Sequence, residues 1–280
     1  MDVGSAAVLQ QPDIFAANRA RGLIAIAAEA AGGLTRRTTV REDGSLRVRF
    51  PGPLAPALQA VIVNTAGGTA GGDRYQIACR AGVDADLTVS TAAAEKIYRS
   101  TGADAAVDIR LDVAAGAFLA WLPQETIFFD EARLSRRIDV ILADNASVLV
   151  AEAVVFGRSA MGEAVRTGSF VDRWRVWRDG KLVFAETVRL DGQIAKKLAE
   201  PAVANGSIAL ATVLVAPGDE ANVEAIRAHA YQFRGEVGVS AWNGFALVRF
   251  CAADGAMLRH DLIMVLSALG RATLPRLWLM

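Results

Sequence analysis

The sequence predicts a mostly β protein, with many short strands in a layered sheet, a sandwich or a β-helix-like single domain and about two α-helices. Apolar and charged residues alternate over 107–113, which is typical of a half-buried strand. Asp-Gly and Asn-Gly dipeptides recur between such segments and reach the positive φ that tight hairpins need. Segments with helical periodicity are few, and the hairpin signals predict mostly antiparallel pairing.

The strand-like segments follow one another along most of the chain. Asp179 and Gly180 lie between two of these segments and predict a hairpin there. The segments are 46–50, 87–90, 107–113, 138–142, 148–156, 173–177, 181–190, 208–215 and 244–250.

Two segments near the C-terminus have helical spacing. Asp219 can begin a helix in which Val223, Ile226 and Ala230 lie on one face. A second helix is predicted over 258–269, followed by Gly270 as its C-terminal stop. No linker or charge block divides the chain, so 19–280 are predicted to form a single β-rich domain. Residues 1–18 are set apart as an N-terminal segment that need not be ordered.

The composition excludes several classes of protein. The chain has 280 residues, 53% of them hydrophobic and 21% charged, with 30 basic and 30 acidic side chains and no net charge. Disordered chains combine low hydrophobicity with high net charge, and nucleic-acid-binding proteins usually carry an excess of basic residues. This chain has neither composition. No apolar run approaches the ~20 residues of a membrane span, and the N-terminus lacks the basic start of a secretion signal. We therefore expect a cytoplasmic protein that binds neither nucleic acid nor membranes.

Most common catalytic motifs are missing from the sequence. Its two histidines, His229 and His260, are too few for a three-histidine metal site. Its two cysteines, Cys79 and Cys251, lie far apart in sequence and form no CxxC motif. The glycine-rich stretch 64–74 lacks the Lys-Ser/Thr of a phosphate-binding loop and has Asp73 in that place. A nucleotide-binding module at this stretch is one alternative, and backbone turns that require glycine are the other.

Four carboxylates stand beside glycine, proline or aromatic residues, outside the regular alternation: Asp73, Glu125, Asp130 and Glu163. A carboxylate pair could make the chain a β-rich carbohydrate hydrolase. Carboxylates could instead coordinate a divalent cation, or they could cap turns and form surface salt bridges. Composition and periodicity leave these alternatives open.

Several short motifs resemble one known family, the urease accessory proteins called UreD or UreH. They are NTAGGTAGGDR at 64–74, EKIYRS at 95–100, LPQETI at 122–127, GRSAMGE at 157–163, DRW at 172–174 and LPRLW at 274–278. Each motif is weak alone, but their common order over most of the chain is specific.

The resemblance implies a non-enzymatic scaffold with a largely β fold and two helices. Such a scaffold binds urease apoprotein together with UreF and the GTPase UreG, and assists nickel insertion into urease. It implies no cofactor of its own, only transient Ni²⁺. Because oxygen ligands hold Ni²⁺ more weakly than imidazole or thiolate, we expect no stable metal site. Asp73 and Glu163, with Glu125 and Asp130, are the candidate carboxylates of a nickel path.

Overall fold

The computed structural model describes residues 18–52, 56–158, 161–270 and 273–279. These residues form seventeen β-strands, two 3₁₀ turns and three α-helices, which confirms the mostly β prediction. The helices are α1 (Ile194–Ala199), α2 (Glu220–Arg227) and α3 (Gly255–Leu269). The N-terminal segment 1–18 lies outside the described residues except for its last residue.

Two stacked sheets contain all the strands, numbered along the chain. The first sheet contains seven strands: β1 (Arg21–Ala31), β2 (Leu34–Gly44), β5 (Arg74–Ala81), β8 (Ala105–Val113), β11 (Arg133–Leu142), β13 (Gly168–Arg178) and β14 (Lys181–Gly192). The second sheet contains ten strands: β3 (Leu46–Arg49), β4 (Leu58–Asn64), β6 (Asp86–Thr91), β7 (Glu95–Ile97), β9 (Phe118–Leu122), β10 (Thr126–Phe128), β12 (Ser147–Phe156), β15 (Ala209–Ala216), β16 (Glu236–Trp242) and β17 (Phe245–Ala252).

The centre of the molecule is a parallel coil resembling a β-solenoid. The chain passes from β5 to β6 in the other sheet, returns to β8, and repeats this step through β9, β11, β12 and β13. Arg74 lies beside Ala106, Ala106 beside Ser135, and Ser135 beside Val171, one coil apart each time. The mostly antiparallel prediction is therefore wrong for the centre. Inward–outward alternation has the same period in both ladder types, so it could not distinguish them.

Antiparallel pairs lie at the ends of the sheets. The predicted hairpin at Asp179-Gly180 joins β13 to β14, and both turn residues have positive φ, 47° and 76°. A similar turn at Asn243-Gly244 joins β16 to β17. Asp179-Gly180 predicted its hairpin because Asp and Gly tolerate left-handed backbone. The second hairpin was not predicted, since no strand was expected where β16 lies.

The core fills the space between the sheets, and α2 and α3 cover part of the outer face of the second sheet. Both predicted helices are present, but α2 ends at Arg227, and Ala230 lies beyond it in a separate 3₁₀ turn. Asp219 and Asn222 form a capping box at the start of α2, and Asp254 caps α3 through the backbone N–H of Met257. The short α1 was not predicted. None of the helices in the described ranges is long and apolar enough to cross a membrane.

Candidate functional site

A cavity of about 290 Å³ lies between the two sheets, and we call it the interior cavity. Its apolar wall comes from both sheets, since inward residues of facing strands meet there. Representative lining residues are Ile77, Ile109 and Leu134 of the first sheet and Ile62, Trp121 and Glu152 of the second.

The glycine-rich stretch forms part of the rim of this cavity. Gly67 and Gly68 line it, between β4 and β5, and both have positive φ. A Cβ on Gly68 would overlap the Tyr98 ring and lie 3.0 Å from the Lys96 carbonyl oxygen. Glycine is required here by backbone conformation and close packing, in agreement with the alternative of backbone turns.

A buried ionic cluster contributes Arg136 and Glu152 to the wall of the interior cavity. The Arg136 guanidinium binds Asp172 (Nη2–Oδ2 2.6 Å) and pairs with Glu152, whose Oε1 accepts from Trp121 Nε1 at 2.8 Å. Burial alone would lower the pKa of Arg136, but the charges of Asp172 and Glu152 raise it. Burial raises the pKa of Glu152 to about 7, against the opposing effect of Arg136. One cation here serves two carboxylates.

Glu95 adds another carboxylate to the interior cavity. It accepts hydrogen bonds from Thr69 Oγ1 at 2.7 Å and from Asn64 Nδ2 at 3.1 Å. No cationic partner for it exists among the described residues, and burial raises its pKa. The wall of the interior cavity thus carries two acidic side chains, Glu95 and Glu152, and two basic ones, Arg136 and Lys96.

Two buried polar atoms that line the interior cavity have no hydrogen-bond partner among the described residues. They are the hydroxyl oxygen of Tyr75 and the side-chain nitrogen of Gln124. Tyr75 is 4% exposed and Gln124 7%. An unpaired buried donor is costly and rare in native proteins.

Asp73, the first candidate carboxylate, precedes β5 and is buried. Its two oxygens accept from the backbone N–H groups of Ala20 at 2.8 Å and Ala70 at 2.7 Å. The carboxylate thereby fixes the glycine-rich turn against the start of the chain's first strand. It does not line the interior cavity.

Asp130 and Glu163 lie together in a surface cleft, which we call the arginine cleft. Arg158 pairs with Glu163, and Arg166 Nη2 lies 2.9 Å from Asp130 Oδ2; Arg99 also lines the cleft. Burial alone would raise the pKa of Asp130, but hydrogen bonds from the Thr167 and Arg166 backbone and the Arg166 side chain lower it. Glu163 also accepts from the backbone N–H of Asp130 at 3.3 Å.

Glu125 lies apart from the other three candidates, next to the C-terminal segment. Arg259 donates to Glu125 at 3.0 Å, to Gln124 Oε1 at 2.8 Å and to the Leu277 carbonyl at 2.8 Å. The same guanidinium packs over the Trp278 ring. The structure therefore brings Asp130 and Glu163 together, and places Asp73 and Glu125 elsewhere.

Glu95, Arg136, Glu152 and Asp172 were missed by the sequence analysis. A signal for three of them exists, because Arg136, Glu152 and Asp172 occupy inward positions of strands whose inward neighbours are apolar. Among the described residues, no three His, Cys, Asp or Glu side chains form a group able to hold a metal ion.

Comparison with known proteins identifies the family. A family model described as "UreD urease accessory protein" matches residues 20–279. A urease accessory protein UreD of Rhodopseudomonas palustris (strain BisA53) is 58% identical over 271 residues, which cover 97% of this chain and 94% of that protein. A urease accessory protein UreD 3 of Bradyrhizobium sp. (strain BTAi1) is 59% identical, with coverages of 95% and 96%. The chain therefore belongs to the UreD family of urease accessory proteins.

Proposed function

We propose that this chain is a non-enzymatic, cytoplasmic scaffold of urease maturation that binds urease apoprotein with UreF and the GTPase UreG and assists nickel insertion. The family match over nearly the whole chain carries this proposal. Relatives with 58–59% identity bear names that describe an accessory role and no reaction. The alternative of a carbohydrate hydrolase has no such support.

The charge and the exposed side chains of the chain fit a protein that binds other proteins. The chain has no net charge, so little electrostatic repulsion opposes association. Large apolar or aromatic side chains remain exposed, including Met161 at 72%, Tyr231 at 84% and Leu279 at 65%. Methionine and aromatic residues are enriched at protein interfaces.

A pull-down from the native host tests the scaffold role. The chromosomal gene would carry a small affinity tag, and co-purified proteins would be identified by mass spectrometry. We expect urease structural subunits, UreF and UreG. An untagged strain is the control. Recovery of the tagged chain without urease or UreF would contradict the proposal.

We further propose that carboxylates of this chain pass Ni²⁺ by transient coordination. The candidates are Asp73, Glu163, Glu125 and Asp130, and Glu95 joins them because it faces the interior cavity without a cationic partner among the described residues. Three of them already bind arginine, so Ni²⁺ would have to displace a guanidinium at Glu125, Asp130 or Glu163. Such competition makes binding weak, as delivery requires.

Charge-removing variants test this path. Glu163→Gln and Asp73→Asn should lower the nickel content of matured urease at limiting nickel while the complex still assembles. Asp73→Asn also loses an acceptor for one backbone N–H, so its thermal unfolding must be compared with wild type. Glu220→Gln, on the exposed surface of α2, is the matched control. Equal nickel content for the double variant and wild type would contradict the relay.

A further inference from the structure

The interior cavity is large enough for an organic ligand. An engineered apolar cavity of about 150 Å³ binds benzene. The interior cavity measures about 290 Å³, close to the lower limit of ordinary ligand sites, about 300 Å³. Its size therefore suits a molecule somewhat larger than benzene.

The walls of the cavity specify an apolar body without charge. Side chains of Ile62, Ile77, Ile109 and Leu134 line it and offer only van der Waals contacts. Glu95 and Glu152 line the same space together with Lys96 and Arg136. The wall therefore carries as many basic as acidic side chains, and an ionic ligand would lose its hydration without a net attraction in return. The carboxylates already accept from neighbouring side chains, so they leave little need for a donor from a ligand.

The unpaired polar atoms specify a hydrogen-bond acceptor. Gln124 presents its Oε1 to Arg259 at 2.8 Å, which fixes the amide and leaves its Nε2 as an unpaired donor. The Tyr75 hydroxyl in the same cavity has no well-formed hydrogen bond among the described residues. Burial raises its pKa against the smaller lowering effect of the Ser45 and Asn64 side chains, so it keeps its proton. An amide nitrogen is a donor only, so a cation cannot satisfy it. A neutral carbonyl or ether oxygen can.

The rim of the cavity is partly open. Gly67, Ala93 and Lys96 line it and are exposed, while Ala92 and Ala94 beside them are half-buried. The small residues Gly67, Ala92, Ala93 and Ala94 leave a route from solvent into the cavity, which Gln124 and Tyr75 also line. A larger residue at position 94 would reduce the space.

We propose that the interior cavity is a binding site for a small uncharged molecule with an apolar body and a hydrogen-bond acceptor such as a carbonyl oxygen. The acceptor lies against Tyr75 and Gln124, and the apolar body lies against the isoleucine and leucine wall. Binding of this molecule requires neither nickel nor urease. A negative result in the binding experiment would therefore leave the proposed role in urease maturation intact.

Three probes of similar shape and different chemistry test the site on the purified full chain. Ligand-observed NMR would follow acetophenone, ethylbenzene and benzoate in titrations. We expect acetophenone to bind with a dissociation constant on the order of 1 mM. Ethylbenzene, which has no acceptor, should bind several-fold more weakly, and benzoate should not bind.

Variants locate the binding within the cavity. Tyr75→Phe removes one donor and should weaken acetophenone binding about fivefold, with ethylbenzene unchanged. Tyr231→Phe is the matched control, since Tyr231 is 84% exposed, and it should change nothing. Ala94→Leu should weaken both neutral probes. Thermal unfolding of each variant confirms that it is folded.

The proposal is overturned if acetophenone shows no saturable binding, which would mean that water alone occupies the cavity. It is also overturned if Ala94→Leu binds acetophenone as well as wild type does, because the probe would then lie elsewhere. Equal acetophenone affinity in Tyr75→Phe and wild type would overturn the assigned acceptor contact.

Discussion

Arg136 and Glu152 form an ion pair that joins the two sheets inside the molecule. Arg136 lies on β11 of the first sheet and Glu152 on β12 of the second, and each is 5% exposed. The guanidinium also binds Asp172 on the neighbouring strand β13. Because one cation serves two carboxylates, removal of the cation and protonation of a carboxylate have different consequences.

Removal of the cation should be strongly destabilising. Arg136→Met leaves Glu152 and Asp172 buried without a counter-charge, and we expect a loss of about 3–5 kcal/mol in the free energy of unfolding. The adjacent Arg137→Met is the matched control, because Arg137 is exposed and pairs with Asp139 at the surface; it should cost no more than about 1 kcal/mol. Urea unfolding measures both. Similar losses for the two variants would contradict the buried-cluster account.

Protonation of Glu152 should stabilise the fold. Burial raises its folded pKa from 4.5 to about 7, so the folded state binds this proton more tightly than the unfolded chain does. Its stabilising contribution is full below about pH 4.5 and is lost as the pH rises to about 7. The loss is on the order of 3 kcal/mol.

Urea unfolding at several pH values measures this contribution as the difference between wild type and Glu152→Gln. The decline in the free energy of unfolding between pH 4.5 and 7 should be smaller in the variant. Glu220→Gln, at an exposed ion pair, should keep the wild-type pH dependence. Identical pH profiles for wild type and Glu152→Gln would show that Glu152 does not titrate in this range.

The C-terminal segment should contribute substantially to stability. Trp278 is 1% exposed, and its Nε1 donates to the Leu122 carbonyl at 3.0 Å. Trp278→Ala removes this bond and leaves a large cavity, at an expected cost of about 3–5 kcal/mol. Trp242→Ala, at a site 40% exposed, should cost clearly less. Thermal or urea unfolding of both variants measures the two losses of stability. Equal losses would contradict a substantial contribution of the C-terminal segment.

Expression of the chain alone should give little soluble protein, and co-expression with UreF should increase the soluble fraction. The reasons are the absence of net charge and the 53% hydrophobic content, since a partner would cover exposed apolar surface. The soluble fraction on gels and the elution volume in size-exclusion chromatography measure this effect. Abundant stable monomer at high concentration without UreF would contradict it.

Local sequence patterns predicted many of the strands, one hairpin and two of the helices, because these elements depend on interactions between residues close in sequence. Alternation predicted strands, the Asp179-Gly180 dipeptide predicted a hairpin, and capping residues such as Asp219 predicted a helix. The parallel coil was not predicted because pairing between strands about one coil apart depends on long-range packing. The side-chain alternation of a strand is the same whichever direction its neighbour runs.

The candidate site was predicted only in part, for a related reason. Asp73 and Asp130 stood out beside turn residues, and both accept backbone N–H groups at turns. Their role in nickel transfer stays a prediction. Arg136, Glu152 and Asp172 lie within regular strands. Charged residues are common at the outward positions of such strands, so these three did not stand out in the sequence. A charged residue at an inward, otherwise apolar position was the signal, because burial of a charge requires a partner.

Urease nickel content in a deletion strain tests the central claim most directly. The gene for this chain would be deleted in its host, and urease would be purified from cells grown at ordinary nickel supply, with wild-type complementation as control. We predict urease protein at normal abundance, nearly inactive and lacking nickel, with activity and nickel restored by complementation. Fully active, nickel-loaded urease in the deletion strain would contradict the account.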